Sequence, residues 1–200
     1  MAVRRYTAPR AVPATEARIL DAAEALVGAG AFHEATMDEL ARAAGVARAT
    51  VFSRFGSKLG VLEALSVRCA GGLEMRALRA AFELDEPGAA LGAVVDASCA
   101  LWERHGAILR QLQAIATLEP AAQALVAEQR ADQRGSLEEL VARLARAGRL
   151  RKGLGERRAV AALHVLTSVE TFAELRHAGG LSLREVRETL RRLAGLAVLA

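Results

Sequence analysis

The hydrophobic side chains in the first third of the chain recur every three or four residues, which is the spacing of a helix with one buried face. In the first predicted helix these positions are Ile19, Ala23, Leu26 and Val27. Thr15 is the predicted N-cap, because its hydroxyl can accept a hydrogen bond from a free amide of the first turn. Gly28 and Gly30 are predicted to end this helix.

A short second helix is predicted next, and a tight turn follows it. Thr36 and Glu39 match the capping box, in which each side chain bonds the backbone amide of the other residue. A helix over about residues 36–43 therefore begins there. The small residues after it form a turn at Gly45, where glycine permits a positive φ.

The segment after the turn has the composition of a DNA-recognition helix. Val51 and Phe55, four residues apart, give it an inward face. The opposite face presents Arg48, Thr50, Phe52, Ser53 and Arg54. Arginine can donate two hydrogen bonds to guanine, and threonine can bond a phosphate or touch a thymine methyl. Two short helices joined by a tight turn predict a helix-turn-helix motif, whose second helix enters the major groove of DNA.

Longer helices are predicted for the rest of the chain. Ser57 is the predicted N-cap of a fourth helix that extends to Leu73. Beyond Pro87 the pattern predicts five amphipathic segments, over about residues 88–104, 106–117, 120–148, 156–177 and 182–199. The second of these segments follows a predicted break at Gly106. No stretch predicts a pair of strands.

The composition supports an all-α fold. Hydrophobic residues make up 52% of the 200 residues and aromatic residues only 4%, and a core of Ala, Leu and Val favours close helix packing. Cys69 and Cys99 form no CxxC pair, which argues against a disulfide scaffold or a zinc cluster and favours a reducing compartment. Because no membrane helix or signal core is predicted, a cytoplasmic location and no membrane partner are expected.

An ordered set of residues over about fifty positions carries a family resemblance: Arg18, Ile19, Leu20, Ala22, Ala23, Leu26, Gly30, Thr36, Leu40, Ala41, Ala44, Gly45, Val46, Thr50, Phe55, Lys58 and Leu62. In these positions residues 15–65 resemble the N-terminal domain of the TetR family of bacterial transcriptional repressors. The resemblance implies an all-helical homodimer that binds double-stranded DNA and a small-molecule effector. No cofactor or metal is expected from the residue spacing. It divides the chain into a flexible arm (1–13), a helix-turn-helix domain (14–58) and a ligand-binding and dimerisation domain (59–200).

The resemblance also assigns DNA contacts to particular positions. These are Arg48, Thr50, Phe52, Ser53, Arg54 and Lys58, with Lys58 in a phosphate-contacting position. Thr36 is also predicted to contact DNA. Phe52 departs from the family pattern, which has a tyrosine there whose hydroxyl bonds a backbone phosphate. Two places stay open for the Phe52 ring: against the sugar-phosphate backbone, or in the core beside Val51 and Phe55.

Residues of the C-terminal segments are predicted to form a ligand pocket and a dimer interface. The ligand-binding candidates are Phe82, Trp102, His105, Gln111, Gln113, His164 and Phe172. Apolar stripes on the last two segments predict the interface residues Ala161, Val165, Val169, Phe172, Leu190, Leu193, Ala194 and Ala197. The same stripes could close an intrachain core, and the resemblance favours a four-helix interface between two copies.

The predicted function is a ligand-responsive repressor that binds a palindromic operator as a dimer and is released by a small-molecule effector. A transcriptional activator or an effector-independent regulator is the alternative within the DNA-binding class. A helical enzyme or carrier with a vestigial motif is the alternative outside it. The four histidines show no metal-binding spacing, and no nucleophile or phosphate-loop motif is present, so the sequence gives catalysis no support.

Overall fold

The computed structural model describes residues 13–200, and in this range ten α-helices and one π-helical turn form without any strand. The predicted all-α class is confirmed. The chain divides into two compact units, Met1–Gly72 and Leu73–Ala200. The predicted arm, residues 1–13, lies outside the described residues except for Pro13.

The first unit contains four helices: α1 Ala14–Gly28, α2 Met37–Ala44, α3 Arg48–Phe55 and α4 Lys58–Ala70. Helix α1 packs against α2 and α4, and α3 packs against the same two helices. Each helix contributes a side chain that is at most 1% exposed: Ile19, Leu40, Val51 and Leu62. The compact unit includes all of α4, whereas the predicted DNA-binding domain ends at residue 58; that functional division stays a prediction.

Local capping chemistry begins two of these helices where the sequence predicts it. The Thr36 hydroxyl accepts from the Glu39 amide at 3.2 Å, and the Glu39 carboxylate accepts from the Thr36 amide at 2.7 Å. The Ser57 hydroxyl accepts from the Gly60 amide at 3.1 Å. Both predicted caps are therefore confirmed, because each satisfies amides that a helix start leaves without partners.

Two predicted boundaries in this unit are wrong. Helix α1 begins at Ala14, directly after Pro13 and without a side-chain cap, so Thr15 lies inside the first turn. Proline suits the entry to a helix because its φ is already fixed near the helical value. Helix α4 ends at Ala70 and does not extend to Leu73, because two glycines follow it and a separate helix begins at Leu73.

The second unit contains the remaining elements: α5 Leu73–Phe82, α6 Pro87–Ala116, α7 Pro120–Arg146, α8 Glu156–Leu166, α9 Val169–Ala173, a π-helical turn Glu174–Ala178 and α10 Leu183–Val198. Helix α6 lies at the centre and packs against α5, α7, α9 and α10, while α8 packs against α7 and α10. Leucine and valine side chains from these helices form one continuous core. Among the helices of residues 13–200, none has the length and apolar character of a membrane span.

The predicted break at Gly106 is wrong, because α6 continues through this residue. Gly106 is buried, and a Cβ placed there would lie 3.2 Å from Val169 Cγ2 and 3.3 Å from Arg110 Nη1. The glycine therefore permits close approach of α9 to α6, and it does not end a helix.

The predicted segment 156–177 is interrupted where α8 gives way to α9. The Thr167 hydroxyl donates to the Leu163 carbonyl at 2.8 Å, and Ser168 caps α9 by accepting from the Thr171 amide at 3.1 Å. Such local bonds between hydroxyl groups and the backbone compete with helix continuation. The sequence pattern did not reveal this interruption, because the apolar spacing continues on both sides of it.

Candidate functional site

The turn between α2 and α3 is fixed from both sides. Gly45 adopts a φ of 62°, as predicted, and ends α2 in the left-handed conformation. Arg18 of α1 donates from Nη2 to the carbonyl oxygens of Ala44 and Gly45, at 2.7 Å and 2.6 Å. A cation at a helix C-terminus is favourable because the last carbonyl groups lack partners within the helix. Arg18 therefore positions the turn, a role that the sequence pattern did not assign to it.

Helix α3 presents most of its side chains to solvent. Val51 is fully buried, and Thr50 and Phe55 are half-buried. The exposed side chains are those of Arg48, Ala49, Phe52, Ser53 and Arg54. Phe52 is 62% exposed, so the alternative that places its ring in the core is wrong. The Ser53 hydroxyl donates to the Thr50 carbonyl at 3.0 Å within the helix.

Arg48, the first residue of α3, pairs with Asp38 of α2. The distance from Arg48 Nη1 to Asp38 Oδ2 is 3.2 Å, and the two side chains are 67% and 53% exposed. A pair this exposed contributes little to stability, because water and salt screen it. The guanidinium is therefore held beside the turn and can leave Asp38 for another anion at small cost.

Lys58 connects the start of α4 to the loop before α2. Its Nζ donates to the His33 carbonyl at 2.8 Å and lies 5.2 Å from the centroid of the Phe32 ring. Partial burial lowers the pKa of Lys58, and the Glu39 carboxylate opposes this shift. One of the three ammonium donors is used, so the predicted phosphate contact stays possible for the others. Thr36 is exposed, but its hydroxyl serves the capping box.

Three of the predicted ligand-binding residues lie near the junction of α8 and α9. Trp102 Nε1 donates to the Thr167 carbonyl at 2.9 Å, and Gln113 donates to the Glu170 carboxylate at 2.8 Å. Burial lowers the pKa of His164, and the cations Arg134 and Arg130 lower it further. The structure therefore groups Trp102, Gln113 and His164, whose ligand contacts stay predictions.

The other four candidates lie elsewhere in the second unit. Half-buried His105 places Nε2 3.3 Å from Glu74 Oε2 of α5, and half-buried Phe82 ends the same helix. Phe172 is 0% exposed and belongs to the core. Gln111 is half-buried on α6. Phe82 packs against the core that contains Phe172.

Sequence reasoning missed several polar residues near the same junction. The Gln133 amide donates to the Thr167 hydroxyl at 3.4 Å, and Arg130 lies 3.6 Å from the Glu170 carboxylate. Gln133 and Arg130 lie on the same face of α7 as Gln129. This spacing of polar residues is a sequence signal that could have identified them. That signal is weak in an arginine-rich chain, because charged positions also line ordinary solvated faces.

Residues 19–65 match the family model of the bacterial regulatory proteins of the tetR family. This match includes all of α2 and α3 and the turn that Arg18 and Gly45 fix. The chain carries a TetR-family helix-turn-helix domain. The predicted recognition of the family is confirmed for this domain.

Solved structures extend the likeness to the whole fold. The TetR family transcriptional regulator PfmR from Thermus thermophilus is 24% identical, with 90% of this chain and 98% of that chain covered and a TM-score of 0.71. A tetR-family regulatory protein from Rhodococcus RHA1 is 20% identical, with coverage of 93% and 97% and a TM-score of 0.75. A transcriptional regulator from Saccharomonospora viridis, solved with choline, is 19% identical, with coverage of 92% and 97% and a TM-score of 0.75. A search of curated proteins finds no match.

The TetR family consists of transcriptional regulators and not of enzymes. Burial raises the pKa of the Cys99 thiol to about 11, so this thiol stays protonated at neutral pH and is a poor nucleophile. The family match therefore favours a regulator over a helical enzyme that retains an unused motif.

The TetR fold of this chain buries half of the predicted dimer residues in its own core. Val169, Phe172, Leu190 and Ala194 are at most 2% exposed. Side chains buried within one copy cannot contact a second copy. The prediction that these four residues form the dimer interface is therefore corrected. Ala161, Val165 and Leu193 are exposed and Ala197 is half-buried. Leu196, which the prediction omitted, is 56% exposed.

Proposed function

We propose that this TetR-family protein is a dimeric repressor that binds palindromic double-stranded DNA and is released by a small-molecule effector. The observation that carries the proposal is the exposed polar face of α3, opposite buried Val51. A recognition helix needs side chains that reach base edges from a helix whose other face is held by the domain. Helix α3 meets both requirements.

The proposed DNA contacts divide into base and backbone contacts. Arg48 and Arg54 lie at opposite ends of α3, are exposed and supply the guanidinium groups suited to guanine. Lys58 has donors left for a phosphate. The exposed Phe52 ring is suited to packing against the sugar-phosphate backbone. Thr36, Thr50 and Ser53 complete the proposed surface.

Dimerisation is proposed through an apolar edge of α8 and α10, two helices that pack together. Val165, Leu193 and Leu196 are between 43% and 59% exposed and define this edge. A palindromic operator requires two recognition helices related by two-fold symmetry, and an edge of two adjacent helices can form a four-helix interface with its copy.

A charged substitution tests the proposed edge. Leu193→Asp should convert the dimer to a monomer in analytical ultracentrifugation, because it places a charge in a desolvated interface. Leu118→Asp is the matched control, since Leu118 is 86% exposed on a different part of the second unit. A dimer that persists in Leu193→Asp, or a wild-type protein that is monomeric at micromolar concentration, contradicts this assignment.

Release by an effector is proposed as a population shift. A ligand that binds better to a conformation unable to engage both half-sites lowers operator affinity by the ratio of its two affinities. The S. viridis regulator with choline shows that a protein of this fold can hold a small molecule. For this chain the effector is part of the proposal.

Selection of binding sites from random duplex DNA tests the proposal directly. The expected product is a palindrome whose half-sites are about one helical turn apart. A reporter gene behind the selected site should be repressed by the protein, whereas activation would favour the alternative of an activator. Failure to enrich any sequence would contradict operator binding.

A further inference from the structure

The charged residues of the first unit are unevenly distributed along its sequence. Residues 13–72 contain six basic and seven acidic side chains, which gives them a net charge of −1 with neutral histidine. Residues 1–12, which we call the basic segment, contain Arg4, Arg5 and Arg10 and no acidic side chain. Affinity for DNA depends strongly on cations that neutralise phosphates. The basic segment therefore decides that the first unit has a net positive charge.

Two of the cations within the four helices are already engaged. Arg68 of α4 pairs with two carboxylates of α1, those of Asp21 and Glu24, and its side chain is only 28% exposed. Arg18 donates to the carbonyl groups that end α2. These guanidinium groups hold helices together, so fewer cations of residues 13–72 are left for the DNA backbone.

Arg18 also shows where the basic segment is attached. Its Nη2 lies 2.7 Å from the Ala44 carbonyl oxygen and 2.6 Å from that of Gly45, in the turn that leads into α3. Helix α1 begins at Ala14, only about 6 Å along the helix axis before Arg18. The basic segment therefore joins the unit near the N-terminal end of the proposed recognition helix.

The basic segment is long enough to reach the groove next to the one that receives α3. Twelve residues of extended chain span at most about 40 Å, and one turn of DNA is about 34 Å long. A minor groove flanks the major groove on each side within that distance. A chain attached beside a recognition helix can enter this minor groove while the helix stays in the major groove.

We propose that the basic segment binds the minor groove of the DNA that flanks each half-site. Arg4 and Arg5 insert into the groove, and Arg10, which is closer to α1, contacts a phosphate. A narrow A·T minor groove concentrates negative potential and attracts arginine, so A·T pairs are preferred there. This inference rests on the proposed operator binding, and it adds a second groove and a second sequence preference to it.

Two double variants with equal loss of charge test the contact in operator titrations. Arg4→Ala/Arg5→Ala should lower operator affinity at least tenfold and reduce the steepness of the salt dependence by about two units for each bound subunit. Arg104→Ala/Lys152→Ala removes the same charge from two exposed side chains of the second unit and should keep the wild-type affinity. Equal affinity of wild type and Arg4→Ala/Arg5→Ala overturns the inference, and so does an equal loss in the two double variants.

Duplexes with altered flanks test whether the minor groove is read. In the minor groove a G·C pair adds the amino group of guanine, which inosine lacks. Wild type should bind operators with A·T and inosine·C flanks equally, and operators with G·C flanks at least threefold more weakly. Arg4→Ala/Arg5→Ala should bind all three equally. The inference is overturned if wild type does not distinguish the flanks, if inosine does not restore affinity, or if the double variant keeps the preference.

Hydroxyl-radical footprinting at saturating protein gives a readout that does not depend on affinity, because the radical attacks DNA from the minor groove. Wild type should protect both the half-sites and their flanks. Arg4→Ala/Arg5→Ala should protect the half-sites only, which would also show that its helices are folded. Flank protection that is identical in the two proteins overturns the inference.

The same titrations separate this inference from the proposed function. If wild type prefers the selected operator to a scrambled duplex and Arg4→Ala/Arg5→Ala binds it equally well, operator binding stands and the role of the basic segment is overturned. If wild type does not distinguish the operator from the scrambled duplex, the proposed function itself fails and the inference fails with it.

Discussion

Arg48 in the first unit and Arg110 in the second show two ways of holding a cation. Arg48 is 67% exposed and pairs with Asp38, whereas Arg110 Nη1 is buried without a partner. An exposed ion pair is worth little, so its arginine is free to exchange partners. A buried donor without a partner is unfavourable, because it has lost its hydrogen bonds to water.

The exposure of Arg48 leads us to expect a steep salt dependence for operator binding. Contacts between exposed cations and phosphates release counterions, so operator binding should weaken steeply as salt rises.

The largest expected effect is on operator affinity. Arg48→Ala should weaken specific binding by about 1 to 3 kcal/mol and relax one base position in each half-site, because a bidentate base contact is lost. Arg192→Ala, exposed on α10, is the control. Asp38→Asn should act in the opposite direction, because it frees Arg48 and removes a negative charge near the phosphates. Unchanged base preference in Arg48→Ala would remove Arg48 from the interface.

A smaller effect is expected at Phe52, the exposed aromatic residue of α3. Phe52→Tyr should tighten operator binding by about 0.5 to 1.5 kcal/mol, the net value of one hydrogen bond to phosphate. Since the ring is 62% exposed, the Tm should stay unchanged. Phe52→Leu keeps an apolar side chain without the hydroxyl and should not tighten binding. A lower Tm in Phe52→Tyr, without any gain in affinity, would argue against an exposed ring.

The smallest expected effect is a pH dependence of stability. Burial, together with Arg134 and Arg130, lowers the pKa of His164, so the folded state binds fewer protons than the unfolded state. The free energy of unfolding should therefore be level above about pH 6.5 and decrease below it. His164→Gln should remove part of this decrease in chemical denaturation, whereas His33→Gln, on an exposed side chain, should not. An identical pH profile for His164→Gln and wild type would contradict a lowered pKa of His164.

Much of the first unit could be predicted because its signals are local. The capping box of Thr36 and Glu39 and the positive φ of Gly45 depend on residues within one turn of each other. The family resemblance rests on the same short segment, and the match at residues 19–65 confirms it. The exposed face of α3 follows from helical spacing, but whether Phe52 joined the core was not decided by spacing.

The second unit shows what local pattern leaves open. Gly106 has the signature of a helix end, yet it lies inside α6 because α9 approaches too closely for a side chain. Phe172 belongs to one predicted apolar stripe and Leu190 and Ala194 to another, and each stripe fits either a dimer or a core. The packing of α9 and α10 against α6 placed these three residues inside.

The sequence by itself determined the helical class, the caps at Thr36 and Ser57 and the helix-turn-helix domain, because hydrogen bonds within a turn and the period of apolar residues depend on neighbouring positions. Tertiary structure alone decided which arginines stay exposed and which polar atoms lose water. Arg110, Gln129 and His164 come from three consecutive helices, α6, α7 and α8. Their burial depends on how those helices pack, and no spacing along one segment encodes that arrangement.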